Sequence, residues 1–371
     1  MITIEKVTNK RQLNEFIQFY HTLYAGNKYY APPLDKMERD FFSPKNPMAK
    51  DCDVQLWLAK EGITTFGRIA GIINRAYNEK SGERQARFTH FDCLDSQGIA
   101  SLLLSTVEKW ALDKGMKTVV GPFGYNNLDR HGMLVQGFEE LACQSSNYNE
   151  PYYPKFMDAL GYTKRCDWLE LQVTVPDEKP ERVAKFSKII SEKWGVRTLN
   201  IKNHKDIRQY ASRIFDLYNN CHTNIYGSVP LDEPQKQKLI KNFISVLTPD
   251  FVSVVVNEAD EMVAFGIAMM SVSRTLQKAN GKLFPLGFLH FLQNSKNNGI
   301  LDLLLIGVHP DYQKKGVNIL IFNDFYQGIV KNKVKIMETT QVLESNHASL
   351  NQWSRYEYKE KKRSRLYEKS L

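Results

Sequence analysis

The clearest evidence for the fold is the segment ILDLLLIGVHPDYQKKGVNILIFNDFYQGIV, residues 300–330. Its first nine residues are almost all apolar, which is typical of a central strand that is covered on both faces. Pro310 ends that strand. Apolar residues at helical spacing then share one face: Val317, Ile321, Phe325 and Ile329. The pattern predicts a strand, a short turn and an amphipathic helix.

The turn between this strand and this helix, Gln313–Asn318, has the chemistry of a phosphate site. Gly316 allows the backbone to come close to a ligand, and the first N–H groups of a helix are unpaired at the positive end of its dipole. Lys314 and Lys315 add positive charge. The turn is not a Walker loop, because GxxxxGK[ST] is absent. A solvated turn before a helix explains the same residues equally well.

The two halves of the chain repeat one order of elements. Residues 9–24 and 203–218 are both amphipathic at helical spacing and match at an offset of 194. Each half continues in the order β–α–β–β–β–α–β–α–β. This order predicts two lobes of mixed α/β structure, each with a largely antiparallel sheet flanked by helices. The proline- and charge-rich run at 175–181 places the boundary between residues 177 and 178.

Charge is distributed unevenly between the halves. Residues 1–178 carry a net charge of −2 and residues 179–371 a net charge of +11. The second half therefore favours an anionic partner, which is nucleic acid, an acidic membrane surface or a phosphorylated cofactor. Nucleic acid is the least favoured of these, because the basic residues are spread over several elements without a basic-aromatic surface pattern.

Several other classes of protein are excluded by motifs that the chain lacks. Five scattered cysteines without CxxC, and eight histidines without HExxH, predict reduced thiols and no metal site. No apolar run is long enough to span a bilayer, and the first ten residues contain no apolar signal core. A cytoplasmic protein is expected.

The turn resembles the acyl-CoA-binding signature Q-x-x-G-x-G/A of the GNAT acyltransferase superfamily, with Asn318 at its last position. Short motifs in order along the chain also resemble a large bacterial family of two-lobed GNAT-like proteins: Tyr30–Leu34, Gly67–Ala70, Gly121–Phe123, Gly137-Phe138, Asn149–Tyr153 and Gly161-Tyr162. The resemblance implies two tandem GNAT lobes, 1–177 and 178–371. The second would bind acetyl-CoA or a longer acyl-CoA through Val308, Gln313, Lys314, Lys315, Gly316, Val317 and Asn318. The first has Asp95–Ile99 in place of that loop and is expected to hold no cofactor.

The resemblance further implies an N-acyltransferase, which passes an acyl group from a thioester to an amine. The amine must be neutral to attack, so a base or a desolvating pocket is needed. In many GNAT enzymes the acid that protonates the leaving thiolate is a Tyr seven residues after a helix-opening Asn. Here Trp353 stands at that position. Polar residues on or after the strand beside the cofactor are the candidate catalytic residues: Glu338, Glu344, Asn346 and Tyr358.

An apolar insert, Lys282–Leu292, gives an indication of the acceptor's chemical class. Ten residues from Leu283 hold seven large apolar side chains. They pack in the core, or they form a flap over a long acyl chain or on a membrane. With the basic run at 355–369, the flap favours a lipid or long-chain amine as acceptor and peripheral contact with an anionic membrane. Residues 121–127 could line the acceptor side of a cleft between the lobes.

Two other functions are compatible with the same residues. A non-catalytic protein that binds acyl-CoA or lipid would explain why Trp353 replaces the usual acid. An aminoacyl- or peptide-modifying transferase of similar fold would use another donor.

Overall fold

The structure is a computed structural model that describes residues 1–223, 225–244, 246–282 and 298–371. The first half contains, in chain order, β1 Thr3–Lys6, α1 Lys10–Leu23, α2 Asp35–Phe41, β2 Cys52–Glu61, β3 Thr64–Asn74, α3 Arg75–Ser81, β4 Gln85–Cys93, α4 Gln97–Asp113, β5 Thr118–Gly121, β6 Met133–Gln136, α5 Tyr152–Ala159 and β7 Thr163–Thr174. The second half contains α6 Glu181–Trp194, β8 Val196–Thr198, α7 His204–Cys221, α8 Glu233–Phe243, β9 Val252–Asn257, β10 Met262–Met270, α9 Ser273–Ala279, β11 Ile300–Val308, α10 Asn318–Lys331, β12 Ile336–Thr339, β13 Val342–Leu343, α11 His347–Asn351 and β14 Tyr358–Ser370.

The internal repeat is visible in the first long helix of each half. Asn9 caps α1 by accepting a hydrogen bond from the backbone N–H of Gln12 at 3.0 Å. Asn203, its match at the offset of 194, caps α7 in a reciprocal capping box with Asp206. The predicted order omits α2, α3, α8 and α9. These helices have 7 or 11 residues, which is too short for a clear apolar period.

All strands of the described residues lie in one 14-stranded sheet. Its order is β1-β2-β3-β4-β5-β14-β7-β12-β11-β10-β9-β8, with β6 paired to β14 and β13 to β7. Only β4–β5 and β11–β12 are parallel in the part of the chain that the structure describes, and the other pairs are antiparallel. This mixed, largely antiparallel sheet flanked by helices confirms the predicted fold class.

At the centre of the sheet, one strand from each half pairs with a strand of the other half. β7, from the first half, pairs with β12, so that Gln172 lies opposite Glu338. β14, from the second half, pairs with β5, so that Tyr367 lies opposite Gly121. The division at 177/178 falls in the linker before α6 and stays a prediction, while the sheet itself is continuous across it.

The basic run at the end of the chain lies inside this central pair of strands. Lys361 Nζ lies 2.7 Å from Glu338, Arg365 Nε lies 2.9 Å from Asp167, and Lys369 Nζ lies 3.0 Å from Glu108. Each of these three cations thus already has a carboxylate partner in the protein, and contact of this run with anionic lipid stays a prediction. The apolar insert at 283–292 lies outside the described residues.

Two layers of helices cover the sheet. On one face α4 and α10 each pack on the strands of their own half. On the other face α1, α7 and α8 pack on alternate side chains of the same strands. The second face carries the space between the halves, where the candidate site lies.

Candidate functional site

A cavity of about 1140 Å³ lies between the two halves. Side chains from α7 and α8 form much of its apolar wall: Ile207, Ile214, Phe215, Leu239, Ile240 and Phe243. Pockets for drug-sized ligands have volumes of roughly 300–1,000 Å³. The cavity therefore exceeds the needs of a small polar substrate and suits a long apolar one.

The second half contributes a splayed pair of parallel strands to the cavity. β11 and β12 stay in register only as far as Leu303 and Thr339. Beyond this point the Thr340 hydroxyl donates to the carbonyl of Leu304 at 3.3 Å, the strand pairing ends, and both segments continue along the cavity wall. Leu304 is an extra residue in β11, because Ile267 and Ala268 of β10 face Leu305 and Leu303. Such a bulge redirects side chains beside a site.

The loop from β11 to α10 is shaped by two residues in the left-handed region, Lys314 at φ 61° and Gly316 at φ 76°. The Gln313 side chain closes the loop by donating to the carbonyl of Val308 at 3.1 Å. The backbone N–H groups of Gly316 and Val317 donate to no acceptor among the described residues. The loop thus offers free amides at a helix N-terminus, as anion-binding loops do.

Two further residues of the loop, Lys315 and Asn318, contact neighbouring elements. The Lys315 ammonium lies 4.2 Å from the centre of the Trp194 ring and 5.1 Å from that of Tyr312, while Lys314 is exposed. Asn318 Nδ2 donates to Gln352 at 3.2 Å, and Gln352 lines the cavity. The structure therefore brings the predicted cofactor residues together, next to the cavity.

The predicted catalytic residues are not brought together. Glu338 is buried in its ion pair with Lys361 and also accepts from Gln172 at 3.0 Å. Glu344 is paired with Lys164 at 2.8 Å. Tyr358 is about half exposed at the start of β14. Their catalytic roles stay predictions, and none of these three residues is among the described residues that line the cavity.

Asn346 does line the cavity, and it caps α11 by accepting from the N–H of Ser349 at 3.1 Å. Trp353 is buried and lines the same end. An indole N–H donates hydrogen bonds but does not serve as a proton acid. Asp302 is buried on β11 opposite Glu338, and burial together with that neighbour's charge raises its pKa to about 8.

The first half contributes a polar wall that sequence reasoning missed. Asp92 accepts from Tyr24 at 2.9 Å and from Arg68 at 2.8 Å. Glu38 accepts from His90 Nε2 at 2.8 Å, and His90 holds a φ of 48°, which is rare for a residue with a side chain. The available signal was the charged residues Arg68 and Asp92 inside otherwise apolar strands.

The loop after β5 completes the wall. Arg87 is buried and donates to the carbonyls of Gly124 and Tyr125 at 3.1 and 2.8 Å. Residues 126–131 then line the cavity. Of the Gly- and Asn-rich run 121–127, only Asn126 and Asn127 are among these lining residues. Gln341, which follows β12, donates to the carbonyl of His131 at 2.8 Å. The loops after the two equivalent strands therefore meet across the cavity.

The described residues contain neither a cluster of metal-ligating side chains nor a membrane-spanning helix. No group of three or more His, Cys, Asp or Glu side chains there is arranged to hold a metal ion. Within the same residues, none of the helices combines the length and the apolar character needed to cross a membrane.

The fold is the one seen in tandem GNAT proteins. The whole chain matches the structure of a tandem GNAT protein from the clavulanic acid biosynthesis pathway, with a TM-score of 0.57, 11% identity, and coverage of 100% of this chain and 98% of that one. It also matches a GCN5-related glucosamine N-acetyltransferase region of a fungal multi-domain β-N-acetylglucosaminidase, with a TM-score of 0.57, 13% identity and 38% of that chain covered. The predicted GNAT fold is confirmed.

Two curated proteins are similar in sequence. Protein YghO of Escherichia coli (strain K12) is 26% identical, over 98% of this chain and 94% of that protein. A bacterial ceramide synthase of Caulobacter vibrioides (strain NA1000 / CB15N) is 24% identical, over 84% of this chain and 82% of that protein. A comparison with protein-family models finds no match.

Proposed function

We propose that this protein is an N-acyltransferase that transfers the acyl group of an acyl-CoA to the amine of a lipid or another long-chain molecule. The observation that carries the proposal is the large apolar cavity, which begins at the splayed strands of a GNAT lobe and continues between the two halves. A small acceptor would leave most of this space empty. Burying each CH₂ group of a chain there contributes about 0.8 kcal/mol.

Acyl-CoA would bind the second half. Its pyrophosphate would lie on the loop Gln313–Asn318, where the free N–H groups of Gly316 and Val317 meet the charge of Lys314 and Lys315. Its pantetheine would then enter the gap between β11 and β12, beside Val308. The thioester would then lie near Leu304 and Thr340, which line the cavity.

The acceptor would enter from the side of the first half. Its hydrocarbon chain would lie among the apolar residues of α7 and α8, and its amine would lie at the polar wall. The relative named bacterial ceramide synthase supports this class of acceptor, because a ceramide is the amide of a long-chain amino alcohol.

The reaction needs few groups from the protein. A neutral amine attacks the thioester carbon, the carbonyl becomes an oxyanion, and the thiolate leaves as the C=O bond re-forms. Because Trp353 cannot release a proton, the thiolate would take its proton from the attacking nitrogen. The protein's main contribution would be to hold amine and thioester together and to exclude water.

The test is direct. The purified protein is incubated with acyl-CoA of two to eighteen carbons and with a panel of amines, and the amide products and free CoA are measured by mass spectrometry. We expect the fastest transfer to long-chain amines. Binding of acyl-CoA without any amide would favour the non-catalytic alternative to which Trp353 points. Failure of acyl-CoA to bind would overturn both functions.

A further inference from the structure

Most carboxylates that line the cavity already have a cationic partner. Glu38 is held by His90, Asp92 by Arg68, and Asp40 by Lys36. Asp129 differs, because no side chain of the described residues donates a hydrogen bond to it or lies within ion-pair distance of it. It is a half-buried carboxylate on an otherwise mainly apolar wall.

The carboxylate of Asp129 is held in one orientation by the backbone. Its Oδ2 accepts from the N–H of Tyr125 at 2.7 Å and from the N–H of Asn126 at 3.2 Å. Its Oδ1 has no partner in the described part of the chain and is not among the fully buried polar atoms that lack one. One oxygen is therefore anchored, while the other is left open to a ligand.

The next residue, Arg130, is also only partly used. Its Nε donates to the carbonyl of Gln144 at 2.9 Å, and neither Nη atom donates to any described residue. Like Oδ1 of Asp129, the two Nη atoms are not sealed from solvent. A guanidinium with free N–H donors is suited to bind an oxygen acceptor of a ligand.

This pair lies beside the place proposed for the thioester. The carbonyl of His131, the residue after Arg130, accepts from Gln341, which follows the splayed strand β12. Asp129, Arg130 and Gln341 all line the same cavity. A carboxylate and a guanidinium with open atoms, on consecutive residues, thus both line the cavity near the point where the two halves meet.

We propose that Asp129 and Arg130 form the headgroup site of the acceptor, which rests on the proposed function above. Asp129 binds the ammonium group and takes its proton. Arg130 binds an oxygen function on the carbon next to the one that bears the amine. The acceptor class is therefore a long-chain 2-amino alcohol or 2-amino acid rather than a simple alkylamine.

The proton balance is closed. The ammonium gives one proton to Oδ1 of Asp129 and becomes a neutral amine. Its nitrogen then forms the C–N bond, the C–S bond breaks, and the thiolate takes a second proton from that nitrogen. Asp129 returns the first proton to solvent. The products are an amide, CoA thiol and one released proton.

The surroundings of Asp129 adjust its affinity for that proton. Burial raises the pKa of Asp129 to about 6, against the lowering effect of its two backbone donors. The titratable and charged groups that act on it come from several elements: Lys238, His90, Arg87, Cys52, Tyr125 and Tyr218. A base with this pKa is ionised at neutral pH and suits proton transfer.

The first test is Asp129→Asn, which keeps an oxygen for the N–H groups of Tyr125 and Asn126. We expect kcat/KM to fall by about 100-fold or more, with acyl-CoA affinity and melting temperature almost unchanged. In the unmodified protein kcat/KM should fall as the pH drops below about 6, and this limb should disappear in the variant. The control is Asp113→Asn, an exposed carboxylate at the end of α4 that does not line the cavity, which should behave like the unmodified protein.

The second test is Arg130→Gln with three acceptors of equal chain length: hexadecylamine, 2-aminohexadecan-1-ol and 2-aminohexadecanoic acid. The unmodified protein should prefer one or both oxygen-bearing acceptors, and the favoured one tells an alcohol from a carboxylate. Loss of a charged hydrogen bond should lower kcat/KM for them by roughly 10- to 100-fold. Transfer to hexadecylamine should stay within a factor of about three, because it makes no contact with the guanidinium.

Two outcomes overturn this inference while leaving acyl transfer intact. One is an Asp129→Asn variant that keeps both its rate and its acid limb. The other is an Arg130→Gln variant that slows all three acceptors equally, which would show that the arginine acts on their common part or on the fold. If the unmodified protein acylates no amine at all, the proposed function has failed instead.

Discussion

The side chain of Gln341 donates a 2.8 Å hydrogen bond to the backbone carbonyl of His131. These residues follow β12 and β5, which are the equivalent fifth strands of the two repeated halves. The bond therefore joins the acyl end of the cavity to its acceptor end. It crosses the space in which the two substrates would meet.

Replacing Gln341 by Leu should weaken this contact between the two halves. The His131 carbonyl would lose its partner, and an unpaired buried group of this kind costs about 1–3 kcal/mol. We expect the free energy of unfolding, measured in urea, to fall by that amount. A variant as stable as the unmodified protein would mean that water takes the place of the amide.

Replacing Gly316 by Glu should weaken CoA binding by at least about tenfold. A side chain there meets only Ile190, at 3.5 Å, so the protein itself does not exclude it. The φ of 76° strains any residue but glycine, and the new carboxylate would repel phosphate. Gly62→Glu is the matched control, because that glycine also has a positive φ and open surroundings. Equal CoA affinities by calorimetry in both variants would contradict the assigned loop.

One CoA should bind per chain. The helix of the first half that corresponds to α10 is α4, which begins after Ser96. The preceding turn has no lysine or arginine, and Asp95 puts a negative charge where a phosphate would lie. Calorimetry should give a stoichiometry near one. A value of two would show that the free amides of a helix end suffice without basic side chains.

The first half should not fold by itself. A fragment of residues 1–177 lacks β14, which pairs with β5 and β7 in the intact chain. We expect the isolated fragment to lack the cooperative unfolding transition, and co-expression with residues 178–371 to restore it. Circular dichroism on heating measures this. A stable fragment would show that β5 and β7 can pair directly.

Asp302 should make the protein less stable as the pH rises. Its pKa is raised from an ordinary 3.8 to about 8, so the folded state binds more protons than the unfolded state between these values. The stability contributed by this group is thus present below about pH 4 and is lost as the pH approaches 8. Asp302→Asn removes the titration. Its gain in unfolding free energy over the unmodified protein should therefore be larger at pH 8 than at pH 5, and an equal gain would contradict the shift.

Most of the architecture could be predicted without coordinates. Amphipathic and apolar periods are local properties, so the strand–turn–helix of residues 300–330 and the repeat at an offset of 194 follow from residue order alone. The loop around Gly316 could be found for the same reason, because its strand, glycine and helix are consecutive in the chain.

The acceptor side of the site was decided only by tertiary structure. β14 lies between β5 and β7 because both halves leave a sheet edge that needs hydrogen-bond partners, and no local pattern tells which edge a strand will fill. The position of β14 brings Lys361 into an ion pair with Glu338. This carboxylate, which sequence spacing placed at the cavity wall, is therefore not available to the cavity. The position of β14 also brings Asp129 and Arg130 to face the opposite half. Their open atoms come from the folding of a loop against a distant strand, which sequence spacing does not encode.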